Sequence, residues 1–164
     1  MIKFDKDIPD ELIETCISSE DILQGNWILA KRDQVRLPSG NLGQREFLVH
    51  PGAVIIIPVL DDGKILFERQ FRYPLNRIFI ELPAGKIDPG EDLLLTGQRE
   101  LLEETGFEAA DWVYLGLQHP CIGYSTEVIH IFLARRLISG PPSRDEDEAL
   151  QLFAMSIEEA LSMI

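Results

Sequence analysis

A chain of 164 residues is one domain long and can bury a sizeable core without disulfide staples. A net charge of −13, from 28 acidic against 15 basic residues, gives an average field that repels nucleic acid and anionic lipid and favours a metal-dependent site over a basic-patch one. A polyanionic ligand is then expected only where bound cations and local arginines invert that field. Two cysteines, Cys16 and Cys121, stand in no metal-ligand or redox spacing and read as reduced thiols of a soluble cytoplasmic protein. The N-terminus lacks the apolar core of a signal peptide, and the longest apolar run, residues 53–60, is far too short to span a membrane.

The first 23 residues scatter Ile8, Leu12, Ile13, Ile17, Ile22 and Leu23 among acids, an uneven pattern that predicts a peripheral arm with a short helix over residues 10–18. Residues 26–49 turn strand-like, with a turn at Pro38-Ser39-Gly40-Asn41, and predict two strands joined as a hairpin. Residues 1–50 are therefore expected to form an N-terminal arm and residues 51–164 the main domain. AVIIIPVL from Ala53 to Leu60 predicts a central strand, and an Asp62-Gly63 turn leads into the strand KILFERQFRY. RIFIELPAG is a further strand, closed by Pro83, which cannot donate to a ladder.

The stretch from Gly85 to Phe107 predicts a loop, an amphipathic helix and a stop at Gly106 in a left-handed cap. At helical periodicity Glu100 and Glu104 lie one turn apart with Glu103 beside them, so three carboxylates crowd one stripe. Like charges at this spacing destabilise a helix by roughly 0.2 to 0.5 kcal/mol per pair. A hard divalent cation relieves that repulsion, and oxygen-rich sites are what Mg²⁺ and Mn²⁺ prefer. The bland reading is a solvated acidic face with Arg99 paired to Glu103 one turn on. After the helix, DWVYLGLQHP and EVIHIFLARRL predict two strands, SGPPSRDEDE a loop, and the C-terminal segment a short strand and a last helix with Ser156 as N-cap and Glu159 in the capping-box position. Strands with a central and a terminal helix define an α+β or α/β/α domain on a mixed sheet.

The spacing Gly85, five residues, Glu91, seven residues, Arg99-Glu100-Leu101, one residue, Glu103-Glu104, one residue, Gly106-Phe107 resembles the Nudix box at every defining position. The resemblance implies an α/β/α sandwich with a mixed β-sheet plus an N-terminal antiparallel arm. It also implies Mg²⁺-dependent hydrolysis, with Mn²⁺ as an alternative, of a nucleoside diphosphate linked to another moiety. Glu100, Glu103, Glu104 and the backbone carbonyl of Ala84 look like the metal-binding groups, Glu91 a supporting acid, and Arg99 the partner that orients these acids. One departure is visible: Thr96-Gly97 stands where relatives usually carry two alanines.

Outside the box, Gln70-Phe71-Arg72, Glu81-Leu82-Pro83-Ala84-Gly85 and Pro120 are similar to the ADP-ribose pyrophosphatases and the related GDP-sugar hydrolases. For ADP-ribose the products would be AMP and ribose 5-phosphate; GDP-mannose or another nucleotide sugar is the alternative substrate. By the same resemblance, Arg72 is a candidate phosphate ligand and Glu81 a hydrogen-bond acceptor for a sugar. Arg45 and Glu46 are candidate contacts from an arm exchanged within a homodimer, although an arm that merely edges its own sheet fits the same pattern. Trp27 either stacks on adenine or packs as a structural tryptophan. The catalytic base resembles a loop glutamate outside the box; Glu148 matches that placement best and Glu146 second, in a charge run that more often is simply solvated. His50, His119 and His130 read as structural. A non-catalytic nucleotide-sensing protein on the same fold would show erosion of the box acids, and none is eroded here.

Overall fold

The computed structural model describes residues 10–140 and 149–163. The described residues divide into two compact units, one of residues 10–50 with 121–127 and one of residues 51–120 with 128–140 and 149–163. Segment 121–127 thus groups with the N-terminal strands.

The first unit is a three-stranded antiparallel sheet of β1 (Thr15–Gln24), β2 (Leu29–Arg36) and β3 (Leu42–Val49), with β2 in the middle. The β2–β3 hairpin lies where the alternating pattern predicts it. Gly40 closes its turn at φ 84°, donating its N–H to the Leu37 carbonyl at 2.8 Å. The short helix expected over residues 10–18 is corrected: only a 3₁₀ turn at Asp10–Leu12 forms, and β1 begins at Thr15. The β-branched Thr15 and Ile17 favour a strand, and pairing with β2 supplies the hydrogen bonds. Register shifts between Cys16 and Ser18 and between Asp21 and Leu23 break the two-residue alternation, which is why the segment does not read as a strand. Segment 121–127 runs beside β3, where the Leu48 N–H donates to the Tyr124 carbonyl at 2.8 Å and the Thr126 N–H to the Leu48 carbonyl at 2.9 Å.

The second unit carries a mixed four-stranded sheet of β7 (Ala84–Lys86), β4 (Ala53–Pro58), β9 (Ile129–Ser139) and β8 (Phe107–Gln118), in that order. β4 and β9 run parallel, and the outer pairs are antiparallel. An antiparallel three-stranded sheet sets β5 (Ile65–Arg72) between β10 (Leu150–Met155) and β6 (Arg77–Glu81). The helix α1 (Leu93–Thr105) lies on the four-stranded sheet, and Val54, Ile56, Leu101, Phe132 and Ala134 form the buried core between them. Gly97 is what allows this close approach: a Cβ there would lie 3.3 Å from both Trp112 and Val54. That contact accounts for a mid-helix glycine which otherwise costs about 1 kcal/mol against alanine.

Both ends of α1 have local causes. The Asp92 side chain accepts from the N–H groups of Leu94 and Leu95, and Gly106 ends the helix at φ 72°, the left-handed cap expected of it. The last helix, α2 (Ile157–Leu161), starts with the predicted capping box. Ser156 Oγ accepts from the Glu159 N–H at 3.1 Å, and Glu159 Oε2 accepts from the Ser156 N–H at 2.7 Å. Among the described residues no helix is long and apolar enough to cross a membrane.

Candidate active site

The short strand β7, the loop 87–92 and α1 bring the box residues together. Glu104, 3% exposed, reaches back across twenty residues and accepts the Ala84 N–H on Oε2 at 2.9 Å. Gly85 faces Glu100 so closely that a Cβ at this position would fall 1.8 Å from Glu100 Oε1. The glycine therefore serves close approach, and its backbone needs no left-handed conformation.

Arg99 is the hub of the site, and each of its N–H groups has an acceptor. Nε donates to Glu91 Oε1 at 3.0 Å, and Nη2 donates to Glu91 Oε2 at 2.9 Å and to the Lys86 carbonyl at 3.1 Å. Nη1 donates to Glu100 Oε1 at 2.7 Å and to Glu103 Oε2 at 3.0 Å. A guanidinium has five N–H donors in one plane, so this geometry uses the whole inventory. The hydrogen bonds from Arg99 hold the Glu91 carboxyl down to about 2 from the ordinary 4.5, with Thr96 and the Asp88 N–H contributing. The same hydrogen bonds push the Arg99 guanidinium further up. The single cation thereby offsets the repulsion among Glu91, Glu100 and Glu103. Among the described residues, no three His, Cys, Asp or Glu side chains converge as a ready-made metal cage; Arg99 lies among these acids instead.

A second pair lies on the three-stranded sheet. Arg72 and Glu81 form a two-point fork, Nε to Oε1 at 2.8 Å and Nη2 to Oε2 at 2.7 Å. Glu81 raises the Arg72 pKa, and the carboxylates of Glu68 and Glu104 add to this, so Arg72 shares the electrostatic field of the box helix. Glu68, 1% exposed and directly opposite Glu81 in the β5–β6 register, is a buried carboxylate that the sequence reading passed over. Its signal is an acid directly after the apolar run Ile65-Leu66-Phe67 in a strand. Thr96, 0% exposed, was noted only as a departure from the usual alanine; its hydroxyl donates to Glu91 Oε2 at 2.8 Å.

In the N-terminal unit Arg45 pairs with Glu14, Glu46 accepts from Arg32 Nε at 2.8 Å, and Trp27 sits edge-on to His50 with ring centres 6.1 Å apart. Glu146 and Glu148, the candidate bases, lie outside the described residues. His130 is tied to the Tyr114 hydroxyl at 3.0 Å through Nδ1.

A loop–helix–loop of this spacing, with its acids gathered on one arginine beside a mixed sheet, defines a class, the pyrophosphohydrolases built on this box. Residues 49–163 match the NUDIX domain model and residues 14–48 match the nucleoside diphosphate sugar hydrolase N-terminal domain; the chain belongs to the Nudix hydrolase family and is an enzyme of that family. It is 39% identical over 155 residues to an ADP-ribose pyrophosphatase of Bacillus subtilis, covering 93% of this chain and 84% of that protein. It is 37% identical over 153 residues to a methanol dehydrogenase activator of Bacillus methanolicus, covering 92% of this chain and 83% of that one. The fold superposes on the crystal structure of an ADP compounds hydrolase with a TM-score of 0.82 at 24% identity, over 92% of this chain and 82% of that structure.

Proposed function

We propose that this enzyme hydrolyses the pyrophosphate bond of ADP-ribose to AMP and ribose 5-phosphate with Mg²⁺ as cofactor. The observation that carries the reading is the gathering of all four box acids, Glu91, Glu100 and Glu103 on the five-donor Arg99 hub and Glu104 on the Ala84 N–H. The similarity to the ADP-ribose pyrophosphatase of Bacillus subtilis supports the substrate.

The donor set fits a hard divalent cation. It is made of carboxylate oxygens, and the space above Gly85 is taken by the Glu100 carboxylate, which a side chain there would displace. Glu100, Glu103 and Glu104, with the Ala84 carbonyl, would hold the ions. When bound they supply charge neutralisation on the pyrophosphate and activation of water. Glu81 occupies Nε and Nη2 of Arg72, which leaves the Nη1 N–H groups for a phosphate oxygen. Glu81 accepts from a sugar hydroxyl, and Glu148, with Glu146 as runner-up, acts as the base that takes the proton from water.

We further propose a cytoplasmic homodimer with exchanged N-terminal strands, in which Trp27, Arg45 and Glu46 serve the other copy's substrate. In support, all of β1 is exposed and it stands at the edge of its sheet, with the apolar Ile17 at 45% and Leu23 at 57%, and such an edge invites pairing with another chain.

A substrate panel with Mg²⁺ and with Mn²⁺ tests the activity. Release of AMP from ADP-ribose in preference to GMP from GDP-mannose is the expected result. No nucleoside monophosphate from any nucleotide sugar would remove the enzymatic assignment and leave a nucleotide-sensing protein. Sedimentation at the mass of one chain would sink the dimer.

A further inference from the structure

We propose that Thr96 is a positioning residue of the active site, acting through Glu91 and Arg99 on the carboxylates Glu100 and Glu103. The proposal rests on the metal-site reading given above.

Thr96 is costly where it stands. A β-branched residue inside a helix is a few tenths of a kcal/mol less favourable than alanine, and a fully buried hydroxyl needs a partner. The usual acceptor for a helical threonine is the carbonyl one turn back, here Asp92 at 3.1 Å. A second acceptor is nearer and charged, Glu91 Oε2 at 2.8 Å. The hydroxyl has one proton, and the shorter bond to an ionised acceptor takes it.

Glu91 Oε2 is then a node of three donors: Thr96 Oγ1, Arg99 Nη2 at 2.9 Å and the Asp88 N–H at 3.2 Å. Thr96 contributes from the helix and Asp88 from the loop, so donors from two elements fix the carboxylate. It receives the Nε–Nη2 edge of Arg99. Because the guanidinium is rigid, fixing this edge also fixes Nη1, which touches Glu100 and Glu103. Without the hydroxyl, Glu91 keeps Arg99 and the Asp88 N–H but loses its shortest contact, the one that ties its rotation to the helix. The two metal-site carboxylates then lose their alignment, although Thr96 itself touches neither substrate nor cation.

The test compares Thr96→Val, Thr96→Ser, Glu91→Ala and the Thr96→Val/Glu91→Ala double variant. Turnover of ADP-ribose with Mg²⁺ is one readout; Mn²⁺ affinity of the substrate-free protein by electron paramagnetic resonance is the other. Losing a hydrogen bond to a charged group should lower kcat about tenfold in Thr96→Val, with KM within about twofold and Mn²⁺ bound several-fold more weakly. Thr96→Ser should restore both, and Thr96→Val should cost nothing more in the Glu91→Ala background, where no side-chain acceptor remains. Unchanged kcat and Mn²⁺ affinity in Thr96→Val, or an equal loss with Glu91 already replaced, overturns the proposal. If Thr96→Val fails to fold by circular dichroism, Thr96→Ala is read by the same criteria. A wild-type protein that hydrolyses no nucleotide sugar refutes the activity, while the Mn²⁺ comparison still decides the role of Thr96.

Discussion

Arg32 and Arg99 each gather glutamates, in opposite settings. Arg32, in the middle strand of the N-terminal sheet, lies directly across from Glu20 on one side and Glu46 on the other, bonding them at 3.1 and 2.8 Å. Its side chain is 40% exposed and those of its partners 61% and 55%, so water competes for every contact. Arg99 is 29% exposed, and Glu91 and Glu100 are 17% and 12%. The chemistry of the residues is shared, and solvation with donor saturation separates them. A cross-strand lattice helps set register, whereas the saturated hub arranges acids that would otherwise repel.

The largest break in that comparison is expected at Glu104, the box acid that the Ala84 N–H holds beside the hub. Glu104→Gln keeps an oxygen for the Ala84 N–H but removes the charge, so kcat should fall by on the order of a thousandfold with an unchanged circular dichroism spectrum. Near-normal turnover would take Glu104 out of the metal site. Gly85→Ala comes next. The added Cβ meets the end of the Glu100 side chain, which can swing away, so the melting temperature should barely move. Activity should nevertheless drop on the order of a hundredfold, the usual result of misplacing a catalytic group by about 1 Å. Equal losses of stability and activity would make Gly85 a merely structural glycine.

A smaller effect concerns acid stability. Glu91 has a folded pKa held at about 2 against an ordinary 4.5, so its contribution is present above pH 4.5 and is lost as the pH falls toward 2. Glu91→Gln should therefore be less stable than wild type at pH 7, and the gap should narrow through that window in urea titrations. A gap independent of pH would place the contribution in packing instead of charge. The smallest effect belongs to Arg32→Met, which should cost less than about 1 kcal/mol, because exposed pairs are worth little. A loss several times larger would mean that the N-terminal lattice is as tightly coupled as the hub.

Much of this was legible in the residues. The β2–β3 hairpin, the strands around Ala53–Pro58 and Ile65–Arg72, the stop at Gly106 and the Ser156–Glu159 box follow from local signals, and local signals survive folding. β1 escaped because its two register shifts erase the alternation that marks a strand. Glu68 escaped because nothing local says that β5 and β6 align it with Glu81. The fork of Arg72 on Glu81 likewise depends on strand pairing across the turn at Tyr73–Leu75. Gly97 stands in the sequence only as a departure from the usual alanine, and its reason, the contacts with Trp112 and Val54, comes from tertiary packing.

The sequence by itself determined which acids share a face of α1, since a helix repeats every 3.6 residues and Arg99, Glu100, Glu103 and Glu104 lie within two turns. It also determined where that helix stops, since only glycine takes the left-handed cap at no steric cost. Tertiary structure decided what those acids face. Folding β7 against β4 brings Ala84 and Gly85 to Glu104 and Glu100, and the loop turns Glu91 back onto Arg99 and Thr96. These contacts join residues five to twenty positions apart through a loop whose path follows from packing. No periodicity in the chain encodes that path.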